Sequence, residues 1–396
     1  MPWSESRVDA RRKFIEEYTS GTWSVVELAR RHGISRKTAY KILGRFAAQG
    51  IAGLSDQSRA RHRQDQRTPP EIERRILEAK RRYPCWGPRK ILTLLRRRHP
   101  DIAWPARSTA GDILLRAGLV TPRRTRRTTP VSRDPLAPAC EPNDLWCTDF
   151  KGHRLSGLDE RLEPFTLGDA FSRFSLACTL VESTSTEAVW PHFERAFRKY
   201  GLPRRLRSDN GPPFASTGLC GLSGLSVRLL RLGIRPERIT PGKPQQNGML
   251  ERFHLSLELE AMSPPALTVA HQERKLESFR RCFNHVRPHE ALDDRTPADV
   301  YTPSPRRYPR RLPDFEYARH VPVRSVCTDG SVRWGGEHVF LGEPLAGQRV
   351  GFVQNAEDHW SVRFGPVEVA LFDEVSHTML RHDRLVWVDG NEDEDA

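Results

Sequence analysis

The 396-residue chain lacks several features that define whole classes of protein. None of its apolar runs approaches the roughly 20 residues that a membrane-crossing helix needs, so no membrane-embedded role is expected. The opening residues, MPWSESRVDARRK, hold no apolar stretch of the signal-peptide kind, and the expectation is a soluble cytoplasmic protein. The seven cysteines (Cys85, Cys140, Cys147, Cys178, Cys220, Cys282 and Cys327) form no Cys-x-x-Cys pair, and their number is odd. A zinc knuckle and a disulfide framework are therefore not expected, and the thiols read as reduced. There is also no G-x-x-x-x-G-K-S/T loop, which leaves out a nucleotide-driven engine of that type.

Acid is scarce in the first third. Residues 1–140 hold 31 Lys and Arg against 13 Asp and Glu, a balance of +18, whereas the remainder holds 33 against 37. The formal net charge of +14 thus comes from the N-terminal side. Most of these cations are Arg, whose planar fork suits bidentate contact with phosphate. Nucleic acid is the leading partner on this ground, with an anionic membrane surface second.

Residues 8–48 read as three short helices. Ser24 caps the second, Gly33 supplies a tight turn and Ser35 caps the third. Val25, Leu28, Ile34, Ala39 and Leu43 form an apolar side. Ser35, Arg36, Lys37, Tyr40 and Lys41 then lie at the exposed start of the third helix, the end that meets base edges and phosphates in a helix-turn-helix. A small helical bundle with a solvated basic face is the plainer alternative. The expected DNA-binding domain is 1–55. Residues 68–120 look like a second helix-turn-helix unit, with Ser108 capping its last helix and Arg107 and the Arg96-Arg97-Arg98 run as candidate phosphate contacts. A helical spacer fits the same pattern. Residues 121–142 carry Arg and Pro with almost no apolar periodicity and read as a basic linker.

From 143 the pattern changes to short apolar strands (145–150, then two more to about 181), a helix from Thr184 with Glu187 at capping-box spacing, and alternating strands and helices to about 305. This argues a mixed α/β core with helices on both faces, over 143–305. Residues 315–390 read as a small β-barrel-like domain, and 391–396 as an acidic, solvated tail.

Three acids stand out within that core. Asp149 interrupts an apolar strand, Asp209 opens an Asp-Asn-Gly turn at a strand end, and Glu251 sits in the first turn of a helix. An acid in a strand is usually a surface or locally bonded residue. Three brought to one sheet edge would repel one another unless cations neutralised them. Oxygen ligands select Mg²⁺ or Mn²⁺, and two such ions suit in-line phosphoryl displacement.

The strings TDF (148–150), SDNGPPF (208–214) and PGKPQQNGMLERFH (241–254) resemble, in order, the signature blocks of insertion-sequence transposases of the retroviral-integrase superfamily, the family of the DDE integrase catalytic core. FNHVRPHEALDDRTPADVY (283–301) is similar to the segment that follows the core in bacterial members. The resemblance implies a multidomain α/β protein: a ribonuclease-H-like core preceded by helix-turn-helix modules and followed by a small all-β domain. It implies Asp149, Asp209 and Glu251 as catalytic and metal-binding residues, with two Mg²⁺ or Mn²⁺ ions. The implied activity is cleavage of the ends of a mobile element and their joining to target DNA, by a homo-oligomer of at least two protomers on double-stranded DNA in the bacterial nucleoid. Between Asp209 and Glu251 lie 41 residues, more than the 35 for which such triads are often named, and the extra length falls in the loop at 215–226. A DNA-binding regulator with an inactive core and a hydrolytic nuclease of the same fold are the alternatives. Lys243, Gln245, Gln246 and Asn247 are candidate DNA contacts, the last three equally readable as turn formers. His254, one turn after Glu251 and on the same side, reads as a hydrogen-bonded surface histidine, with orientation of a water as the alternative; Glu258, two turns on, reads as too far to ligate, and Asp169 as a decoy acid without a matching motif.

Overall fold

The computed structural model describes residues 6–56, 68–120, 136–216, 218–356 and 359–388. Most of the basic linker (121–135) and the acidic tail lie outside the described residues. The chain divides into two compact units, Met1–Thr68 and Pro69–Ala396.

The first unit is a three-helix module of α1 (Arg7–Thr19), α2 (Val25–Arg31) and α3 (Arg36–Gln49). Each helix starts on a serine. Ser6, Ser24 and Ser35 accept from the backbone N–H of Asp9, Glu27 and Thr38, and Ser24 with Glu27 completes a capping box. Such caps are worth about 1 kcal/mol each. Gly33 turns the chain at φ +61°, and the Ile34 N–H donates to the Ala29 carbonyl at 2.9 Å. The core is Phe14, Ile15, Leu28, Ala29, Ala39, Ile42 and Leu54. Arg11 ties the end of the module to its start by donating to the Leu54 carbonyl at 2.6 Å and pairing with Asp56 at 2.5 Å.

The second unit opens with α4 (Pro70–Arg82), α5 (Pro88–Arg98) and α6 (Arg107–Arg116) around Ile76, Trp86, Ile91, Leu92, Leu95, Ile113 and Leu114. Ser108 is not the cap of α6: Ala106 holds that position in extended conformation and Ser108 lies inside the first turn, so the chain turns helical sooner after Pro105 than the serine suggests. These helices are fastened to the following domain. Arg89 donates to Asp294 at 3.0 Å, Arg97 meets Asp299 through two bonds of 2.9 and 3.2 Å, and Cys282 and Val286 join the apolar core of the module. Arg97 is therefore committed to an ion pair rather than held out toward phosphate.

Next come β1 (Leu145–Phe150), β2 (Arg154–Leu155), β3 (Arg161–Asp169), β4 (Ser175–Val181), α7 (Thr186–Tyr200), β5 (Arg205–Ser208), α8 (Gly224–Arg231), β6 (Arg235–Arg238), α9 (Gly248–Leu257) and α10 (Val269–His285). Ser185 rather than Thr184 caps α7, accepting from the Ala188 N–H at 3.2 Å. β3 runs antiparallel to β4 and β1, and β1, β5 and β6 run parallel, giving the lateral order β4-β3-β1-β5-β6, with β2 also pairing to β3. Side chains alternate across the sheet. Trp146, Phe165, Leu167 and Leu206 pack under α7 and α8, while Leu145, Cys147, Leu162 and Leu180 pack under α9 and α10. This three-layer arrangement is the ribonuclease-H-like core.

The chain ends in strands β7 (Val323–Ser325), β8 (Ser331–Trp334), β9 (Glu337–Phe340), β10 (Arg349–Ala356), β11 (His359–Phe364), β12 (Val367–Asp373) and β13 (Thr378–Trp387). Five form an antiparallel sheet in the order β13-β12-β11-β10-β7, and β8 pairs with β9. Among the described residues no pairing joins β7 to β13, so the expected barrel is an open sheet instead. Its apolar interior is completed from elsewhere. Leu219, Cys220 and Leu222, from the loop between Asp209 and Glu251, lie in one core with Val332, Phe352, Val362 and Phe372. The Cys220 thiol donates to the Val369 carbonyl at 3.2 Å, and Arg238 donates to the Cys220 carbonyl at 2.8 Å.

Leu222 is fully buried there. Leu222→Ala should lower stability by roughly 2–5 kcal/mol in urea unfolding followed by tryptophan fluorescence. A drop below about 0.5 kcal/mol would mean that this loop is not part of the β core.

Candidate active site

β1 and β5 run side by side in a fixed register, with Leu145 opposite Arg205 and Cys147 opposite Arg207. Carried two residues further, the same offset sets Asp149 beside Asp209. The Phe150 N–H donates to Asp149 Oδ1 at 2.8 Å, and the Gly211 N–H donates to Asp209 Oδ1 at 3.2 Å. Asn210 Nδ2 reaches the Ile239 carbonyl at 2.7 Å and pins the turn. The Asp-Asn-Gly sequence thereby fixes where the second acid ends up.

Burial pushes the Asp149 carboxyl up to about 7, helped by the charge of Asp209 and then of Glu251, while the Phe150 N–H opposes the shift. Burial also raises Asp209, opposed by the Gly211 N–H. Glu251 is exposed, in the first turn of α9. The loop before it is braced from below: Arg207 Nη1 donates to the Gln246 carbonyl at 3.2 Å, and Gln246 Oε1 accepts from the Thr240 N–H at 2.7 Å. Gln246 and Asn247 are buried, the geometry of turn formers, whereas Gln245 is exposed and Lys243 half-buried.

The donor set fits a hard divalent cation in kind: all-oxygen, anionic, and held with a desolvated like-charged pair that a cation would relieve. Among the described residues no three His, Cys, Asp or Glu side chains stand close enough to form a finished metal cage. The two aspartates would be the primary ligands, and Glu251 would close on the ion from the helix. His285 and His289, four apart beside Cys282, do not converge either, lying against the separate rings of Phe174 and Phe283.

His254 is not a surface residue. It is 8 % exposed, its Nε2 lies 2.8 Å from Thr166 Oγ1, and its Nδ1 lies 3.8 Å from Asp149 Oδ2. Burial, with the nearby Lys151 charge, lowers its pKa to about 4, so the ring is neutral at physiological pH. Sequence reasoning missed this because the helix face that carries Glu251 also packs on β3. The available signal was Thr166, a polar residue in an apolar strand. Glu258, two turns after Glu251, opens a π-helical turn (Glu258–Met262) and pairs with Lys151 at 3.4 Å and Arg154 at 3.2 Å. Asp169 is fully buried and accepts from the Asn143 N–H at 2.7 Å and from Ser172 N–H and Oγ at 2.7 and 2.6 Å, a structural turn residue.

In the first unit, Ser35 is occupied as the cap of α3, while Arg36, Lys37, Tyr40 and Lys41 are exposed on one face. Arg107 is exposed on α6. A cavity of about 580 Å³ beside Pro212 and Pro213, walled by Ser216, Ser223 and Arg381, holds none of the three acids.

A sheet of this order with helices on both faces is a ribonuclease-H-like core, with Asp149 and Asp209 at the ends of two adjacent parallel strands. Integrase core domain models match residues 139–244 and 232–297, a helix-turn-helix domain model matches 10–62, and a homeodomain-like domain model matches 38–114. The chain is 30% identical over 188 residues to the insertion element IS407 uncharacterized 31.7 kDa protein of Burkholderia multivorans, covering 46% of this chain and 64% of that protein. This is just under two thirds of the relative's length. It is 27% identical over 271 residues to the insertion element IS476 uncharacterized 39.2 kDa protein of Xanthomonas euvesicatoria, covering 68% and 75%. Among solved structures, the HTLV-2 integrase catalytic core domain in complex with magnesium aligns at 16% identity with a TM-score of 0.33, over 41% of this chain and 98% of that one. Residues 139–297 thus match the integrase core domain family, and the chain is similar in sequence to proteins of insertion elements.

The raised carboxyl at Asp149 has a stability consequence. Its folded pKa of about 7 lies above the ordinary 3.8. The native state therefore binds the extra proton between these values, and stability is lost as pH rises through them. In chelator, Asp149→Asn should gain roughly 1–3 kcal/mol over the wild type on moving from about pH 5 to about pH 8. Parallel stability–pH curves for the two proteins would show that this carboxyl is unperturbed.

Proposed function

We propose that this protein is a DNA transposase that cuts the ends of its element and joins them to target DNA. The observation that carries this reading is the placement of Asp149 and Asp209 on adjacent parallel strands, with the helix of Glu251 beside them. In this reading all three are metal ligands, and Mg²⁺ or Mn²⁺, as a pair when bound, supplies Lewis-acid activation of the attacking oxygen and charge stabilisation of the leaving one. The role of the protein is positional. The desolvated Asp149–Asp209 pair demands cations, the braced Pro244–Asn247 turn sets the start of α9, and Gln245 and Lys243 lie on the rim where a phosphate backbone would approach. One phosphodiester replaces another in strand joining, so no external energy source is required.

The exposed face of Arg36, Lys37, Tyr40 and Lys41 is assigned to recognition of the element ends, with Ser35 fixing the start of that helix and Arg107 as a further backbone contact. Two ends must be joined to two nearby target phosphates, and each chain carries one triad. The active assembly is therefore at least a dimer on DNA.

Single replacement of Asp149, Asp209 or Glu251 by Ala should abolish cutting and strand transfer on the terminal DNA of the encoding element while duplex binding persists, because each carboxylate holds cations rather than DNA. Excess chelator should do the same to the wild type. Near-normal strand transfer by any one variant would remove that residue from the triad, and cutting without joined products would favour a hydrolytic nuclease.

Duplex binding should fall steeply with salt, and removing one cation that neutralises a phosphate should reduce the slope of log K against log salt by about 0.9. Arg36→Ala and Lys41→Ala in the full chain should each show that reduction in a fluorescence titration. Unchanged slopes in both would place the DNA-binding face elsewhere.

A further inference from the structure

Thr166 sits directly opposite Asp149 in the β1–β3 ladder and is fully buried. Its hydroxyl donates to the Asp149 carbonyl at 3.0 Å. A threonine hydroxyl has one proton, so that bond uses it. The 2.8 Å approach of His254 Nε2 must then run the other way, with the imidazole N–H donating to Thr166 Oγ1. This assignment selects the Nε2–H tautomer of the neutral ring, because the Nδ1–H tautomer would leave Nε2 without a proton to donate. The result is a directed chain from α9 through β3 to the backbone of β1. Its ends are the residue one turn after Glu251 and the residue Asp149 itself. Elsewhere α9 packs through Leu250, Phe253 and Leu257 against other apolar side chains, and Arg287 donates to its Ser256 Oγ at 3.1 Å. The His254–Thr166 bond is the directional contact that links the helix to β3 and β1.

We infer that His254 and Thr166 are positioning residues, a buried polar brace that fixes the helix of Glu251 relative to the strand of Asp149. The inference rests on the triad reading above and adds to it the group that sets the geometry. Neither residue need touch DNA or metal. Hydrogen-bonded partners of ligands typically change metal affinity 10–100-fold when removed.

The test uses the full chain without DNA. In ¹⁵N-imidazole NMR with chelator present, His254 Nε2–H should be protonated and slow to exchange, and should lose that protection in Thr166→Val. A wild-type ring with Nε2 bare overturns the brace, whatever the metal does. Mn²⁺ titration by calorimetry should then show Thr166→Val and His254→Ala weakened roughly 10–100-fold, while Thr166→Ser and His254→Gln, which keep an acceptor and a donor, stay within about threefold of wild type. Mn²⁺ affinity in Thr166→Val within about threefold of wild type, with Asp149→Ala binding no Mn²⁺, also overturns the inference. Full Mn²⁺ affinity in Asp149→Ala would instead sink the triad reading, leaving the NMR result to judge the brace. Should Thr166→Val not fold, the comparison of His254→Ala with His254→Gln makes the same distinction.

Discussion

Two carboxylates held side by side on neighbouring parallel strands are the constraint that the rest of this molecule serves. Left to themselves, Asp149 and Asp209 would move apart into water. The parallel ladder between β1 and β5 prevents this, and the ladder exists because α7 and α8 return the chain across a sheet whose two faces are both covered. The hydrophobic layers do more than hold the domain together. They provide the force that keeps a repelling, partly desolvated pair in place until something positive arrives.

The parts outside the core are fastened to it through polar joints rather than merely tethered. Arg287, 7 % exposed, pairs with Glu260, donates to Ser256 Oγ at 3.1 Å and lies 5.9 Å from the ring of Trp86. One side chain thus connects the end of α10, the π-helical turn after α9 and the helices before the linker. Breaking such a buried ion pair by removing one partner is far costlier than never having built it. The 283–301 segment works in the same way: Asp294 and Asp299 receive Arg89 and Arg97, and Asn284 holds both the N–H and the carbonyl of Ser175 on β4. A helical module that composition alone would offer to DNA spends part of its charge on the core.

Local chemistry was legible in the sequence wherever it was decided within a few residues. Ser24 and Glu27 form their capping box, Gly33 takes its positive φ, and an aspartate within an apolar strand lies in the sheet as the alternation requires. What escaped was decided by distant partners. His254 reads as a surface residue until β3 is known to run beneath it. Thr184 and Ser108 have the right spacing for caps, but Ser185 and Ala106 take those positions because the preceding chain enters each helix from a different point. Barrel closure was not legible because it depends on whether the first and last strands meet, and here loop residues from the core share one apolar interior with the sheet and the β8–β9 hairpin.

The embedded loop has a consequence for how such a sequence changes over time. Leu219, Cys220 and Leu222 belong by chain position to the catalytic core but by packing to a sheet that begins a hundred residues later. A larger side chain at Val332 or Phe372 would need a smaller one in this loop, and a deletion that restored a shorter spacing before Glu251 would open a hole in another domain. The two stretches therefore vary as a matched set, and exchanging the C-terminal sheet between related proteins should succeed only when the loop travels with it.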